Sequence, residues 1–370
     1  MRVLMAAGGT GGHLIPAIRI AEGITRRRRD VEFLFAGSDR GFEASVVTSR
    51  GYRYIGLPAR GLSRRRPWRN IGAMWANLRA ARMARRLVYD FHPDVAVGCG
   101  GYAAYFPIRA CAAAGIPYVL QEQNRLPGLT TRWLSRRAAM TFLAFAETRQ
   151  QFPGARAVEW AGNPVDPRLA ELDRAGARRA WELPDDVVVI LITGGSTGAR
   201  AINRNVAQGL AVPNSGAPVI VLWQTGAQGA NWNGKAASGW TVRPFAFTDR
   251  MTEAFVAADL IVSRAGALTV SEICAAGKPA ILIPYPLATA DHQTHNARAL
   301  VDAGGAVMIE DHRLADVSLL HEALNLLADR DRAARMGQAN RSLARPQAAD
   351  AIATFVIELA QRQRSASGRA

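Results

Sequence analysis

The sequence predicts an α/β protein whose two halves each carry a parallel sheet with helices on both faces. Three observations predict it. A chain of 370 residues exceeds one comfortable core and fits roughly two domains. Short apolar runs alternate with helical patterns along its length, as expected for strands buried on both faces. Two glycine turns lie about half the chain apart, Gly8-Gly9-Thr10-Gly11-Gly12-His13 and Gly194-Gly195-Ser196-Thr197-Gly198-Ala199-Arg200. Each follows a strand-like run (3–6 and 187–192) and opens a helix. Strand, glycine turn and helix bring bare backbone N–H groups and a positive helix end up to a phosphate. The pair points to twin Rossmann-like domains facing each other across a cleft.

In the N-terminal half, strands are expected at 31–36, 52–57, 94–98, 117–121 and Met140–Leu143. Gly162-Asn163-Pro164 breaks the pattern and sets a boundary between domains 1–163 and 164–346. An Arg/Ala-rich helix near 174–181 opens the second half, and strands recur at 187–193, Val219–Gln224, 240–244, Leu260–Ser263, 280–283 and 306–309. A last helix, about 348–360, follows Pro346 and is expected to cross back, so that 347–364 completes the first domain. The polar tail 363–370 is expected to fray.

The 49% hydrophobic and 21% charged fractions are those of a globular chain. No stretch reaches the roughly 18 uncharged apolar residues of a membrane span; the best candidate, 103–120, is broken by Arg109, Gly115 and Pro117. The first apolar run lacks a basic lead and is too short for a signal peptide. Cys99, Cys111 and Cys274 lack metal or redox spacing and read as reduced cytosolic thiols.

A net charge of +16 suits nucleic acid, an anionic membrane or phosphorylated substrates, and local clustering is the better guide. The stretch 60–89 carries nine arginines and no acid. Wound as a helix from about Ile71, it places Ile71, Met74, Trp75 and Leu78 on one stripe, continued by Arg82, Arg85 and Arg86. Ala73, Ala76, Ala80, Met83, Ala84 and Leu87 form the opposite face, suited to packing on a sheet. An apolar stripe with an arginine rim fits an anionic lipid surface: each basic residue near it contributes about 1 kcal/mol, and Trp75 suits headgroup depth. The competing reading buries the stripe in the core and leaves the arginines solvated. The chain's other aromatics are not interleaved with this cluster as stacking platforms, which disfavours nucleic acid.

His13 opens its helix at the positive end of the dipole, which favours a neutral imidazole and a general-base role. Capping the turn is the plainer alternative. A dinucleotide site would need an acid after the second strand, where Asp39 stands. The run 264–272, Arg-Ala-Gly-Ala-Leu-Thr-Val-Ser-Glu, offers N–H groups for a phosphate and Glu272 for ribose hydroxyls; Glu272 could equally serve the helix dipole. In the run 291–297, His292 and His295 lack further metal ligands, while Gln293 has both donor and acceptor for a sugar.

Together and in this order, these motifs resemble the MurG family of peripheral-membrane N-acetylglucosaminyltransferases. The resemblance covers 8–16, 98–102, Glu122-Gln123-Asn124, 127–130, 162–165, 194–200, 264–272 and 291–297. It implies a GT-B fold, an inverting mechanism, and neither an obligatory metal nor a cofactor. The implied reaction moves GlcNAc from UDP-GlcNAc to the muramyl 4-hydroxyl of lipid I, giving lipid II for peptidoglycan at the cytoplasmic face of the bacterial inner membrane. Carried over by position, Thr10, Gly11, Gly12, Asn124, Ser196, Thr248, Ala267, Leu268, Thr269, Val270, Ser271, Glu272 and Gln293 contact the donor. Gly100, Gly101 and Tyr102 meet the acceptor pyrophosphate, and His13, then Glu122, is the candidate base. Cell-wall and division proteins are the implied partners.

Four departures from the family pattern stand out: Gln121 for His, Asp166 for Arg (with Arg168 nearby as a substitute), Thr197 for Gln, and the run Ala103-Ala104-Tyr105-Phe106 for a smaller one. A GT-B transferase with another lipid or small acceptor, or a non-catalytic nucleotide-sugar or nucleic-acid binder, are the alternatives.

Overall fold

The computed structural model of the chain describes every residue except 10, 41–42, 62–69, 196–197, 227–231, 233 and 367–370. The chain divides into two compact units: Met1–Pro164 together with the segment from Gln347, and Val165–Pro346.

In the first unit the strands are β1 (Arg2–Ala6), β2 (Glu32–Ser38), β3 (Arg53–Leu57), β4 (Val95–Gly98), β5 (Tyr118–Glu122), β6 (Met140–Leu143) and β7 (Val158–Trp160). They pair in parallel in the order β3-β2-β1-β4-β5-β6-β7. β1 is central, with Val3 opposite Phe33 on one side and Val95 on the other. Its side chains alternate between two cores. Val3 and Met5 pack with Leu14, Ile18 and Ile24, while Leu4 and Ala6 pack with Ala84, Leu87 and Ile108. That two-sided burial is why the strands read as continuous apolar runs rather than alternating ones.

The helices Gly11–Arg27 and Ala348–Ala366 cover the first core. A Cβ on Gly23 would stand 3.1 Å from Ala349 O and 3.3 Å from Ala353 Cβ, so the glycine permits their close crossing. Arg26 and Arg27 then bind Asp350 at 2.8 and 2.6 Å. The C-terminal helix runs through Ala366, so 363–366 is helical where the sequence suggests fraying; 367–370 lie outside the described residues. β7 is not anticipated either, because three residues at a sheet edge are too few to show a period.

The second unit holds β8 (Val188–Thr193), β9 (Val219–Gln224), β10 (Trp240–Phe245), β11 (Leu260–Ser263), β12 (Ala280–Leu282) and β13 (Ala306–Met308). They are parallel, in the order β10-β9-β8-β11-β12-β13. Ile190, Ile192, Val206, Leu210, Val221 and Trp223 form much of its core. Arg178, fully buried, is an internal staple: it donates to the carbonyls of Pro184, Asp185, Val187 and Ala257, and its Nη2 lies 2.8 Å from Asp259 Oδ2.

Both sheets share the order 3-2-1-4-5-6, so strand order reverses between β1 and β4 and again between β8 and β11. Loops diverge at such a switch point and leave a crevice at the carboxyl ends of the strands. The turns after β1, β4, β8 and β11 are the glycine-bearing turns that the sequence singles out. Topology therefore gathers the glycine turns at one crevice in each unit.

Candidate active site

On the first unit, the turns after β1 and β4 pack directly on each other. A Cβ on Gly101 would collide with the Gly8 carbonyl, and Gly100 and Gly101 adopt φ values of 86° and 81°, a region that favours glycine. Gly11 and Gly12 begin the helix that carries His13 in its first turn; Thr10 lies outside the described residues. The Gly9 amide donates to Glu43 Oε1 at 2.8 Å, so that N–H is engaged within the fold. Tyr102 leans over Gly9, whose Cβ would stand 3.3 Å from Cε1 of the ring. The predicted base and the predicted acceptor turn thus meet at one switch point.

His13 Nδ1 lies 2.9 Å from Gln123 Oε1. Behind that contact runs a buried ladder of amides. Gln123 Nε2 donates to Cys99 O at 2.8 Å and Gln121 O at 3.1 Å, and also meets Gln121 Oε1. Gln121 Nε2 donates to Asn163 Oδ1 at 2.9 Å, and Asn163 Nδ2 to the Gln123 carbonyl at 3.2 Å. Glu122 is buried, and its oxygens accept from Asn124 N at 3.1 Å and Gly128 N at 3.2 Å. Asn124 Nδ2 adds a longer contact to Glu122 Oε1, 3.4 Å. Asp39, the acid a dinucleotide site requires, is bound by Arg60 at 2.8 Å, which holds its carboxyl below the usual range. That engagement counts against the dinucleotide reading.

On the second unit, the turn after β8 keeps Gly194 and Gly198 in close quarters, where a Cβ would collide with Ala199 N and Thr225 O respectively. Ser196 and Thr197 lie outside the described residues. The turn after β11 leads into the helix Ala267–Ala276, whose N-cap Gly266 has no side chain to close the first N–H groups. This is the arrangement that receives an anion. Two side chains that the sequence did not single out hold the turn in place. Arg264 Nη1 donates to the carbonyls of Ile283 and Pro284 at 3.2 and 3.1 Å, pairs with Asp311, and lies 5.5 Å from the Tyr285 ring centroid. Asn296, fully buried, donates to Ala265 O at 3.3 Å.

Leu268, Thr269, Ser271 and Glu272 are half-buried on this helix, while Ala267 and Val270 turn their side chains into the core. The Val270 amide is donated to Gly266 O at 2.9 Å. Ser271 Oγ donates to Ala267 O at 3.0 Å. Gln293 Oε1 accepts from Tyr285 N at 2.9 Å. Thr248 Oγ1 accepts from Arg250 N at 3.1 Å, closing the turn before the helix Met251–Ala257. Among the described residues no group of His, Cys, Asp and Glu stands as a metal cluster, and His292 Nδ1 lies 2.8 Å from Thr289 O.

The arginine-rich segment forms a helix over Asn70–Phe91. Ala73, Ala80, Ala84, Leu87, Val88 and Phe91 are buried, while Ile71, Met74, Trp75 and Leu78 are 66%, 61%, 67% and 49% exposed. The stripe is therefore not core. Trp133, also exposed, meets Tyr105 edge-on at 6.5 Å. No helix among the described residues is long and apolar enough to cross a membrane.

Two Rossmann-like units with glycine turns at their switch points are the architecture of the GT-B class, and the comparisons with known proteins identify the chain as a glycosyltransferase of that class. Residues 3–143 match the Glycosyltransferase family 28 N-terminal domain and residues 189–354 the Glycosyltransferase family 28 C-terminal domain. A relative from Salinibacter ruber, a UDP-N-acetylglucosamine--N-acetylmuramyl-(pentapeptide) pyrophosphoryl-undecaprenol N-acetylglucosamine transferase, is 42% identical over 364 residues, 98% of each chain. One of the same name from Chlorobaculum parvum is 40% identical, covering 98% of this chain and 100% of its own. The crystal structure of Acinetobacter baumannii MurG superposes with a TM-score of 0.75 at 29% identity, covering 96% of this chain and 99% of that one. The UDP-GlcNAc 2-epimerase of Neisseria meningitidis, at 14% identity and a TM-score of 0.61, covering 97% of this chain and 100% of that one, shares the fold alone. The chain belongs to glycosyltransferase family 28 and, within it, to the MurG family.

Proposed function

We propose that the chain transfers GlcNAc from UDP-GlcNAc to the muramyl 4-hydroxyl of lipid I, giving lipid II, with His13 as general base. Its place in the MurG family, over nearly the whole chain, carries the reaction. The position of His13 beside the Gly100–Gly101 turn supports the assignment of the base. Glu122 is the weaker candidate, since its oxygens are engaged by the backbone N–H groups of Asn124 and Gly128. It serves to hold the loop that presents Asn124.

In the step itself, His13 takes the proton from the acceptor hydroxyl. The oxygen attacks the anomeric carbon from the face opposite UDP, the new glycosidic bond forms with inversion, and the C1–O bond to the diphosphate breaks. Charge develops on the departing diphosphate, where pre-aimed N–H dipoles help most. The first turn of the helix Ala267–Ala276 supplies them, with Ser196 as a further contact, while the Gly195 and Gly198 amides are donated within their own turn to Thr193 Oγ1 and Gly195 O. Leu268 and Thr269 contribute N–H groups, whereas the Val270 amide is already donated to Gly266 O at 2.9 Å, and Ser271 follows it within the helix. Glu272 accepts ribose hydroxyls, and Gln293 donates its amide to the sugar. Thr10, Gly11, Gly12, Asn124 and Thr248 complete the donor contacts, while Gly100, Gly101 and Tyr102 receive the acceptor pyrophosphate.

The exposed stripe Ile71, Met74, Trp75 and Leu78, with Arg82 and Arg86 beyond it, docks the chain on an anionic membrane as a peripheral protein. A nucleotide sugar as donor and a membrane-held acceptor support the cytoplasmic face as its location. Incubation with UDP-GlcNAc and a lipid I analogue should yield the GlcNAc-MurNAc disaccharide. Transfer only to diacylglycerol would overturn the assignment.

A further inference from the structure

We propose that Gln123 is the positioning residue that sets the tautomer of His13, keeping the proton on Nδ1 and leaving Nε2 as the bare, basic nitrogen. The proposal deepens the reading of His13 as general base and rests on it. Gln123 Nε2 lies 2.8 Å from Cys99 O and 3.1 Å from Gln121 O. Backbone carbonyls only accept, so the two amide atoms of Gln123 are told apart by their partners. Oε1 is then the atom that faces His13 Nδ1 at 2.9 Å. An amide oxygen cannot donate, so the hydrogen between them belongs to Nδ1. A neutral imidazole carries one N–H, and Nε2 keeps its lone pair.

Three further features hold this arrangement. A Cβ on Gly100 would stand 3.0 Å from His13 Nδ1 and 3.3 Å from Gln123 Oε1, and one on Gly101 3.3 Å from His13 Cδ2. The glycine turn after β4 thus packs against the contact without a side chain to wedge it apart. Behind Gln123, the Gln121 amide accepts from it and donates to Asn163, which returns a hydrogen bond to the Gln123 carbonyl. All three amides are buried. Gln121, which the sequence presents as the loss of a histidine, here braces the orienting amide. Finally, no side chain of this ladder titrates, so it can direct the imidazole proton without adding a charge that would favour imidazolium.

The test uses the full-length protein labelled with 15N-histidine, with the His13 signals identified by their loss in His13→Asn. The expected spectrum has a protonated, pyrrole-like Nδ1 and an unprotonated, pyridine-like Nε2. A pyridine-like Nδ1 in the unmutated protein overturns the proposal without any variant. Gln123→Met keeps the length but removes the acceptor. It should shift His13 toward the Nε2–H form and lower kcat by about tenfold to a hundredfold, with KM for UDP-GlcNAc within about twofold. Gln123→Glu restores an oxygen acceptor and should restore the Nδ1–H signature. An unchanged tautomer in a folded Gln123→Met overturns the proposal. A switched tautomer with unchanged turnover upholds the positioning by Gln123 and overturns His13 as the base.

Discussion

Arg168 grips Asp166 side-on, with Nη2 2.8 Å and Nε 3.2 Å from the same carboxylate oxygen. Asp166 also receives the Arg168 amide at 3.0 Å and the Thr252 hydroxyl at 3.2 Å, while Arg168 Nη1 reaches Glu253 at 3.1 Å. The hydrogen bond that Arg168 donates to Asp166, ahead of the carboxylate's charge, raises the affinity of Arg168 for its proton. Sequence alone offers Arg168 as a stand-in for the arginine that Asp166 replaces. In the structure its guanidinium is already committed to two carboxylates, and it does not stand free for a diphosphate.

Asp166→Ala should therefore act on stability before it acts on binding. It leaves Thr252 and Arg168 short of an acceptor, at a cost of about 1–3 kcal/mol, measurable by urea unfolding. UDP affinity by calorimetry should stay within about twofold. A tenfold gain would mean instead that Asp166 withholds Arg168 from the donor.

His13→Ala separates chemistry from binding. Losing a positioned general base typically costs about a hundredfold to ten-thousandfold in rate, and transfer should fall at least that far. The binding of UDP should change little, because the proposed diphosphate cradle is on the second unit. Loss of UDP affinity comparable to the loss of rate would show that His13 shapes the donor site and does not move the proton.

Lys278 is a liability built into the second unit. Burial pushes its ammonium down to about 8, helped by Arg174, Arg341 and Arg178 and opposed by Asp259. In the unfolded chain a lysine titrates near 10.4. Between these values the unfolded chain holds a proton that the folded one has shed, so stability rises with pH across that window. Below about pH 8 the penalty of a buried charge is fully present. Lys278→Met should then stabilise the protein at pH 7 by about 1–3 kcal/mol, with the gain shrinking toward zero near pH 10.5. Urea unfolding of both proteins at the two pH values checks this, and a gain independent of pH would refute the electrostatic cause.

What the sequence carried was local. Val3 to Ala6 and Val188 to Thr193 read as strands because burial on both faces makes them apolar throughout, and the glycine turns read as turns because few other residues tolerate such backbone. The alternation of Ala73, Ala80, Ala84 and Leu87 with Ile71, Trp75 and Leu78 marked two faces, and burial in the structure decided that the second is exposed. What it did not carry was tertiary. His13 and Gln123 lie 110 residues apart, and nothing in either neighbourhood marks them as partners. Arg264 and Asn296 brace one turn from different elements, and Arg178 reads as one more arginine in a basic helix although it is fully buried. Polar residues that act through distant carbonyls leave no period and no spacing to detect.

The exposed stripe on the helix Asn70–Phe91 gives the sharpest test of membrane docking, because the structure separates its two effects. Ile71, Trp75 and Leu78 are about half or more exposed, and substitutions at such positions usually change stability by less than about 0.5 kcal/mol. Replacing all three with Ser should leave the melting temperature nearly unmoved yet weaken binding to vesicles containing anionic lipid by tenfold or more, since each apolar side chain inserted at the interface contributes on the order of 1 kcal/mol. Arg82→Ala and Arg86→Ala should act differently. Each removes about 1 kcal/mol of attraction that is screened by salt, so their effect should fade as ionic strength rises, while the serine variant stays weak at every salt concentration. Neutral vesicles provide the control, where the arginine variants should match the unmutated chain. Unfolding of the serine variant would return the stripe to the core, and unchanged vesicle binding by a folded one would leave the helix without a membrane role.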